Sequence, residues 1–340
     1  MAGPLSTHML SQMDTEVIKN ESPQRMDYTR YYQPQINGIS KLFHSINYSK
    51  KQLIIDYEAP QGFRQIVEEI KIADILVKQF RPGAMQNFNL SFDTVKKNHP
   101  NNVDISVTGY GQLGAKKDAA GHDLNYMDET GLLNMSRDEQ GKPILPGFQL
   151  NDISGGVFML LSACTSGLLA QRMRKVMQYI DVSLFDATVA LGAIAQGMLQ
   201  RNADYNKMPI LSGYLVNCYV NECSDKKWIA LGTLELKFWN SFCDMVQQPS
   251  WKTLDLSTLA AETFNKTEVE ELFKTKTQEQ GVVMASNFDV CLSPVLEVKE
   301  VYEQKHTKDR AVFKEIKIDE ERIHVYAKPY KTIWATARMT

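Results

Sequence analysis

Val103-Asp104-Ile105-Ser106-Val107-Thr108-Gly109-Tyr110-Gly111-Gln112-Leu113-Gly114 is the stretch whose reading decides the fold. Its first five residues form a short apolar strand, and the glycines behind them end it in a loop. Gly121-His122-Asp123-Leu124-Asn125-Tyr126 follows, and Asn151-Asp152-Ile153-Ser154-Gly155-Gly156 opens a long apolar helix. The same alternation recurs on both sides. Leu53-Ile54-Ile55-Asp56 and Ile75-Leu76-Val77 read as strands, with Phe63, Ile66, Val67 and Ile70 marking one helix face between them. Leu5, Met9, Leu10 and Met13 mark an earlier helix, Val17-Ile18 a strand, and residues 24–48 a long polar and aromatic loop. Ile180-Asp181-Val182-Ser183-Leu184 is a strand entering a small-residue helix over 187–199. Short apolar strands alternating with amphipathic helices predict an α/β fold, a Rossmann-like parallel sheet covered on both faces.

The pattern changes after the polar 201–208 segment. Residues 215–220 and 228–231 read as an antiparallel hairpin, Phe238, Trp239 and Phe242 as a helix face, and 290–295 as an extended piece. This predicts a large domain over 1–204, to which 311–340 returns, and a smaller α+β domain over 205–310.

With 340 residues, 43% hydrophobic, the chain can bury two such cores. A net charge of −2 gives no global field toward nucleic acid or anionic membrane. The five cysteines show neither CxxC nor zinc spacing, which predicts reduced thiols and no metal site. No signal peptide is visible, and no apolar run is read as reaching the roughly 20 residues that span a bilayer. The expectation is a cytoplasmic protein with neither a nucleic-acid nor a membrane partner.

Ligands of parallel sheets sit outside the carboxyl ends of the strands. Three loops leave those ends, over 55–60, 78–83 and 108–126, and all are polar or glycine-rich. His122 and Asp152 together offer a base and an acid beside glycine-rich backbone, which suits proton transfer at a carbon acid. Asp152 also stands where an N-cap would, and Gly155-Gly156 would let a ligand approach the backbone closely. Arg81 reads as a phosphate ligand or a solvated turn residue. Gly109, Gly111 and Gly114 lack the dinucleotide spacing, and no nucleophile elbow surrounds Ser154 or Cys164.

At these residues the chain resembles the class III CoA-transferase and α-methylacyl-CoA racemase family. Asn47-Tyr48-Ser49-Lys50-Lys51 with Ile55-Asp56 looks like its Asn-x-x-Lys-Arg stretch leading to Leu-Asp-Leu. Residues 73–83 look like its Ala-Asp-Val-Leu-Val-Glu-Asn-Phe-Arg-Pro-Gly, with Lys78-Gln79 in place of Glu-Asn. Gly109-Tyr110-Gly111-Gln112, Gly121-His122-Asp123-Leu124-Asn125-Tyr126, Leu234-Glu235-Leu236-Lys237-Phe238-Trp239 and Val290-Cys291-Leu292-Ser293-Pro294-Val295 match further landmarks.

The resemblance implies an interlocked homodimer acting on acyl-CoA thioesters, with coenzyme A as part of the substrate and no separate cofactor. It implies CoA contacts at Ile55, Asp56, Tyr57, Glu58, Gln79, Phe80, Arg81, Gly121, His122, Asp123, Leu124, Asn125 and Tyr126. Asp152 matches the carboxylate that both branches use. His122 matches the racemase's second proton carrier, and Glu235 the glutamate supporting it. All three together point to a racemase or epimerase of 2-methylacyl-CoA thioesters in fatty acid metabolism. That reaction runs by 1,1-proton transfer through an enolate, which backbone N–H groups near Asp152 would hold. The alternatives are a CoA-transferase working through an acyl-aspartyl intermediate at Asp152, and a truncated, non-catalytic CoA-binding paralogue. The sequence departs from the family at Ser22 and Asn87, where arginines are expected, and at Lys175-Val176-Met177, where a glycine turn is expected. It also lacks a strand before Ala2-Gly3-Pro4, which would be central to the sheet, and looks short at both ends.

Overall fold

The computed structural model describes residues 1–100, 102–138, 140–172, 178–199, 215–254 and 266–329. They form two compact units. The first comprises Met1–Asn134, Leu145–Ala193 and the chain from Lys305 onward; the second comprises Met135–Ile144 and Ile194–Gln304. The second unit thus includes a short segment, 135–144, that the sequence placed in the large domain. Arg174, Lys175, the 175–177 turn and the 201–208 boundary lie outside the described residues.

The first unit is built on parallel strands. Ile75–Lys78, Val103–Thr108 and Gln178–Ser183 form one sheet in that order, and Ile18–Glu21 pairs with Lys51–Ile54 in another. No strand pair joins the two sheets among the described residues. Val103, Ile105 and Val107 are almost wholly buried, packed with Ala2 and Leu10 of helix Ala2–Ser11 and with Met159 and Ala163 of helix Leu150–Arg172. The opposite layer is helix Pro60–Ile72, whose Ile66 and Ile70 pack with Leu53, Ile55, Leu76 and Val95. Apolar side chains on both faces of a short strand explain why these runs read as continuous rather than alternating.

Residues 24–48 are more ordered than expected. They hold the 3₁₀ turn Tyr28–Tyr31, the two-residue strands Gln35–Ile36 and Ile39–Ser40, and helix Lys41–Asn47. Asn37 and Gly38 make the hairpin turn at positive φ, 49° and 79°. Ser40 Oγ then accepts the Leu42 N–H at 3.0 Å and starts the helix. Glu21 and Arg30 lock this segment to the sheet through a buried, two-point ion pair, with bonds of 3.0 and 2.8 Å. The Arg30 guanidinium also stacks on Phe43, 3.8 Å from the ring centre. The chain returns here as the hairpin Phe313–Ile318 and Glu321–Tyr326, whose Ile323 and Val325 pack with Ile36.

Helix Leu150–Arg172 is longer and more apolar than the sequence reading allowed. Its Leu150–Leu169 portion, mean hydropathy 1.4, reaches membrane-spanning length and composition. Even so, Met159 and Ala163 belong to the core just described.

In the second unit, strands Leu292–Pro294, Trp228–Gly232 and Cys218–Glu222 form an antiparallel sheet in that order. Ile229 and Leu231 pack with Trp239, Phe242, Trp251, Val269 and Phe273. Trp239 Nε1 donates to the Trp251 carbonyl at 3.0 Å, so the indole is buried without an orphaned donor.

The Glu21–Arg30 pair gives the fold an acid sensitivity. Burial pushes the Glu21 carboxyl up, but Arg30, the Asp27 N–H and Lys19 together hold it below its ordinary 4.5. Its contribution to stability is therefore present above that value and lost as pH falls below it. Denaturant titrations should show stability dropping below about pH 4.5, with the Glu21 part of that slope missing in Glu21→Gln.

Candidate active site

The carboxyl ends of the first unit's strands deliver the predicted loops. Residues 55–58 follow Lys51–Ile54, 79–81 follow Ile75–Lys78, and the glycine loop follows Val103–Thr108. Gly111 and Gly114 adopt φ of +81° and +93°, which only glycine enters without strain. Gln112 N–H donates to Asp181 Oδ2 at 2.8 Å, and its Nε2 to Ser106 Oγ at 2.9 Å, tying the loop to two strands.

The loop ends at His122, which caps helix Asp123–Glu129. His122 N–H donates to Asn125 Oδ1 at 3.1 Å, and the residue is exposed. The decisive group is its neighbour. Asp123 Oδ1 accepts the N–H of Asn151 at 2.8 Å and of Asp152 at 2.9 Å. Asn151 Nδ2 donates back to the Asp123 carbonyl. Thr188 Oγ1 donates to Asn151 Oδ1. Asp152 is therefore not the N-cap its position suggested. It sits in the first turn of helix Leu150–Arg172, and Asp123 caps that turn from the start of a separate helix.

Tyr126 underlies this junction. Its hydroxyl donates to the Gly121 carbonyl at 2.6 Å. A Cβ on Gly109 would stand 2.3 Å from that hydroxyl, and one on Gly121 would stand 2.7 Å from the ring. Burial, then the Tyr110 hydroxyl and the Asp152 carboxylate, push the Tyr126 phenol up to about 12 against the opposing Arg81 charge. Burial and then Asp152 likewise raise Tyr28. Tyr28 thus joins the surroundings of Asp152, which the sequence did not indicate. The Met1 nitrogen lies 3.7 Å from Asp152 Oδ1, so helix Ala2–Ser11 starts beside the carboxylate.

Two expectations change here. Gly155 and Gly156 serve packing rather than a ligand: their Cβ atoms would meet Leu184 at 2.1 Å and the Ala2 carbonyl at 2.9 Å. The backbone N–H groups around Asp152 are also committed, two to Asp123 and that of Ile153 to the Gln149 carbonyl at 3.1 Å. They are not available to hold an enolate oxygen.

Of the expected CoA contacts, Ile55 is buried in the core and Tyr57 half-buried, its phenol raised to about 12 chiefly by burial. Asp56 accepts the Glu58 N–H and Gln24 Nε2, each at 3.0 Å, which shapes the 55–58 turn. Gln79, Phe80 and Arg81 are exposed, as are Leu124 and Asn125. Beside Arg81 lies a polar cavity of about 70 Å³, lined by Lys78, Ser91, Ser106, Gln112 and Tyr179 among others. In its floor, Lys78 and Asp104 form a buried ion pair of 2.7 Å; burial raises the Asp104 carboxyl and Lys78 opposes this.

The structure thus joins Asp123, Tyr126, Tyr28 and Asp152 at one junction in the first unit, with exposed His122 next in sequence to Asp123 and Arg81 acting on Tyr126. Glu235 belongs to the second, exposed at the start of helix Leu236–Met245. A larger depression of about 500 Å³ there, lined by Cys218, Val220, Gly232 and Cys291 among others, contains none of the predicted site residues. Among the described residues no cluster of three side chains could hold a metal.

The family model for CoA-transferase family III matches residues 1–340. The chain belongs to that family. The succinyl-CoA:glutarate CoA-transferase of Mus musculus is 33% identical over 191 residues, 56% of this chain and 44% of that protein. The formyl-CoA:oxalate CoA-transferase of Afipia carboxidovorans is 24% identical over 336 residues, 89% of this chain and 78% of that one. The chain spans about half the length of the first curated relatives it matches. Among solved structures, a CaiB/BaiF family protein from Brucella suis superimposes with a TM-score of 0.84 at 20% identity, over 98% of this chain and 89% of that one.

Asp123→Ala removes the acceptor of two helix N–H groups and should cost about 1–3 kcal/mol in denaturant unfolding; Asp123→Asn, which keeps one acceptor oxygen, should cost less.

Proposed function

We propose that this chain is a class III CoA-transferase, moving CoA between carboxylic acids through an acyl intermediate on Asp152. The observation that carries this reading is the placement of Asp152. It lies in the first turn of a long helix, where the helix dipole favours a carboxylate, on backbone held by Asp123. The names of the matched relatives support the same reaction class.

In this reading an Asp152 oxygen attacks the thioester carbonyl carbon; a C–O bond forms, the C–S bond breaks, and CoA leaves as thiolate. The thiolate then attacks the aspartyl carbonyl of the mixed anhydride and releases the first acid as its carboxylate. An acceptor carboxylate displaces CoA from the aspartyl thioester, and CoA returns to the new acyl group. No net proton is needed, so a transferase has no use for His122 as a base. The exposed 55–58, 79–81 and 121–126 loops would receive the CoA, with Arg81 as a cation for its phosphates.

The racemase reading retains one specific support. The capping bond ties the His122 loop to the helix bearing Asp152, so base and acid share one junction. We also propose that the protein acts as a homodimer. Ile153, Val157, Leu161 and Leu168 leave an exposed apolar stripe along helix Leu150–Arg172, of the kind that association covers.

Incubated with an acyl-CoA donor and a second carboxylic acid, the protein should exchange CoA. Asp152→Ala should abolish exchange, His122→Ala should retain it, and hydroxylamine should displace CoA from the aspartyl thioester and leave Asp152 as its hydroxamate, read by mass. Incorporation of α-deuterium from heavy water without any acceptor acid, lost in His122→Ala, would instead establish the racemase.

A further inference from the structure

Lys50 is a buried ammonium that the proposed chemistry does not use. Its Nζ donates to the Pro4 carbonyl at 2.7 Å and to Asn47 Oδ1 at 2.9 Å. Asn47 is itself held, its Nδ2 donating to the Phe43 carbonyl at 2.9 Å. Pro4 belongs to the first turn of helix Ala2–Ser11, and that turn touches the helix bearing Asp152. A Cβ on Gly156 would lie 2.9 Å from the Ala2 carbonyl, and Ser6 Oγ donates to Met159 Sδ at 3.0 Å. On another side, a Cβ on Gly3 would collide with the Gln79 side chain. One turn of backbone thus meets Lys50, Gln79 and the turn that carries Asp152.

Burying a lysine costs stability, and an apolar side chain of the same length would fill the space without that cost. What an apolar chain would not do is grip the Pro4 carbonyl. We propose that Lys50 is a positioning residue for Asp152, its ammonium anchoring the first turn of helix Ala2–Ser11 against the first turns of helix Leu150–Arg172. The proposal rests on the reading of Asp152 as the acyl-accepting group.

The anchor has a pH signature. Burial, then Lys19, brings Lys50 down to about 7, opposed by Asp27 and Glu21. His8, facing from helix Ala2–Ser11, is kept neutral: burial, then Lys50 and Lys314, lower it to about 4. Its ring pairs with Ser49 Oγ at 3.2 Å and with Gln12 Nε2. The charges acting on Lys50 are therefore Lys19, Asp27 and Glu21, while Lys314 acts on its neighbour His8. Because the folded value lies below the ordinary 10.5, this site's contribution to stability rises between about pH 7 and 10.5. Below pH 7 the buried charge is destabilising in full, while the grip on Pro4 is strongest. Activity through the anchor and stability at this site therefore run in opposite directions with pH.

The test uses the full chain as Lys50→Met and Lys50→Arg, with the donor-dependent rate at which hydroxylamine converts Asp152 to its hydroxamate as readout. Lys50→Met should stay folded, lose about tenfold in acylation rate, and keep its donor KM within about twofold. Lys50→Arg should recover most of the rate, and the wild type's decline in rate above pH 7 should vanish in Lys50→Met. An unchanged rate in folded Lys50→Met overturns the proposal. If that variant does not fold, amide exchange of the wild type at residues 5–8 and 152–156, compared between about pH 6 and about pH 8.5, decides it. Protection there that falls relative to the rest of the first unit at the higher pH supports the anchor, and protection that changes only in step with the rest overturns it. A wild type without Asp152-dependent acylation defeats the functional reading, and the exchange comparison then decides the anchor separately.

Discussion

Asp123 Oδ1 accepts two backbone N–H groups, those of Asn151 and Asp152. A helix begins with N–H groups that have no partner inside it, and they must be met from elsewhere when the end is not free in water. Here the partner is the first residue of helix Asp123–Glu129, which follows the loop after strand Val103–Thr108 at the carboxyl end of the parallel sheet. One carboxylate therefore does three things. It completes the start of helix Leu150–Arg172, fixes the loop bearing His122, and sets the orientation of the turn that displays Asp152.

The sheet and the aromatic under it make this bond possible. Val103, Ile105 and Val107 bury the strand beneath the helix, and Tyr126 fills the space below the glycine loop. Gly109 and Gly121 each leave room for that ring, one beside its hydroxyl and one beside its edge. The electrostatics follow from the packing. Tyr126 and Tyr28 stay protonated near Asp152, and the Met1 nitrogen lies 3.7 Å from its Oδ1, while Arg81 acts on the Tyr126 phenol.

Much of this could be read from residue order, because the strands are short, apolar and separated by helix-period segments. The carboxyl-end loops followed from that reading, the motifs in them carried the family resemblance, and the parallel strands and covering helices are where the reading put them. Two of the misses share one cause, interactions that are remote in sequence. The acceptor that caps the 150–172 helix lies 28 residues upstream, so local pattern reading made Asp152 its own cap. Gly155 and Gly156 looked like room for a ligand because Leu184 and Ala2, which fill that room, are distant in sequence. The 24–48 segment was different: Asn37-Gly38 and Ser40 are local turn and cap signals, masked by the polar and aromatic residues around them.

The paired glycines at 155 and 156 bear on how such a protein can diversify. Leu184 presses on one and the Ala2 backbone on the next, so the helix that presents Asp152 can neither slide nor rotate without steric conflict. Side-chain variation therefore has little freedom in the turns that support Asp152. Variation has more room in exposed chain such as the tyrosines at 31 and 32 and the segment around Phe148, where altered size or polarity meets solvent rather than this helix.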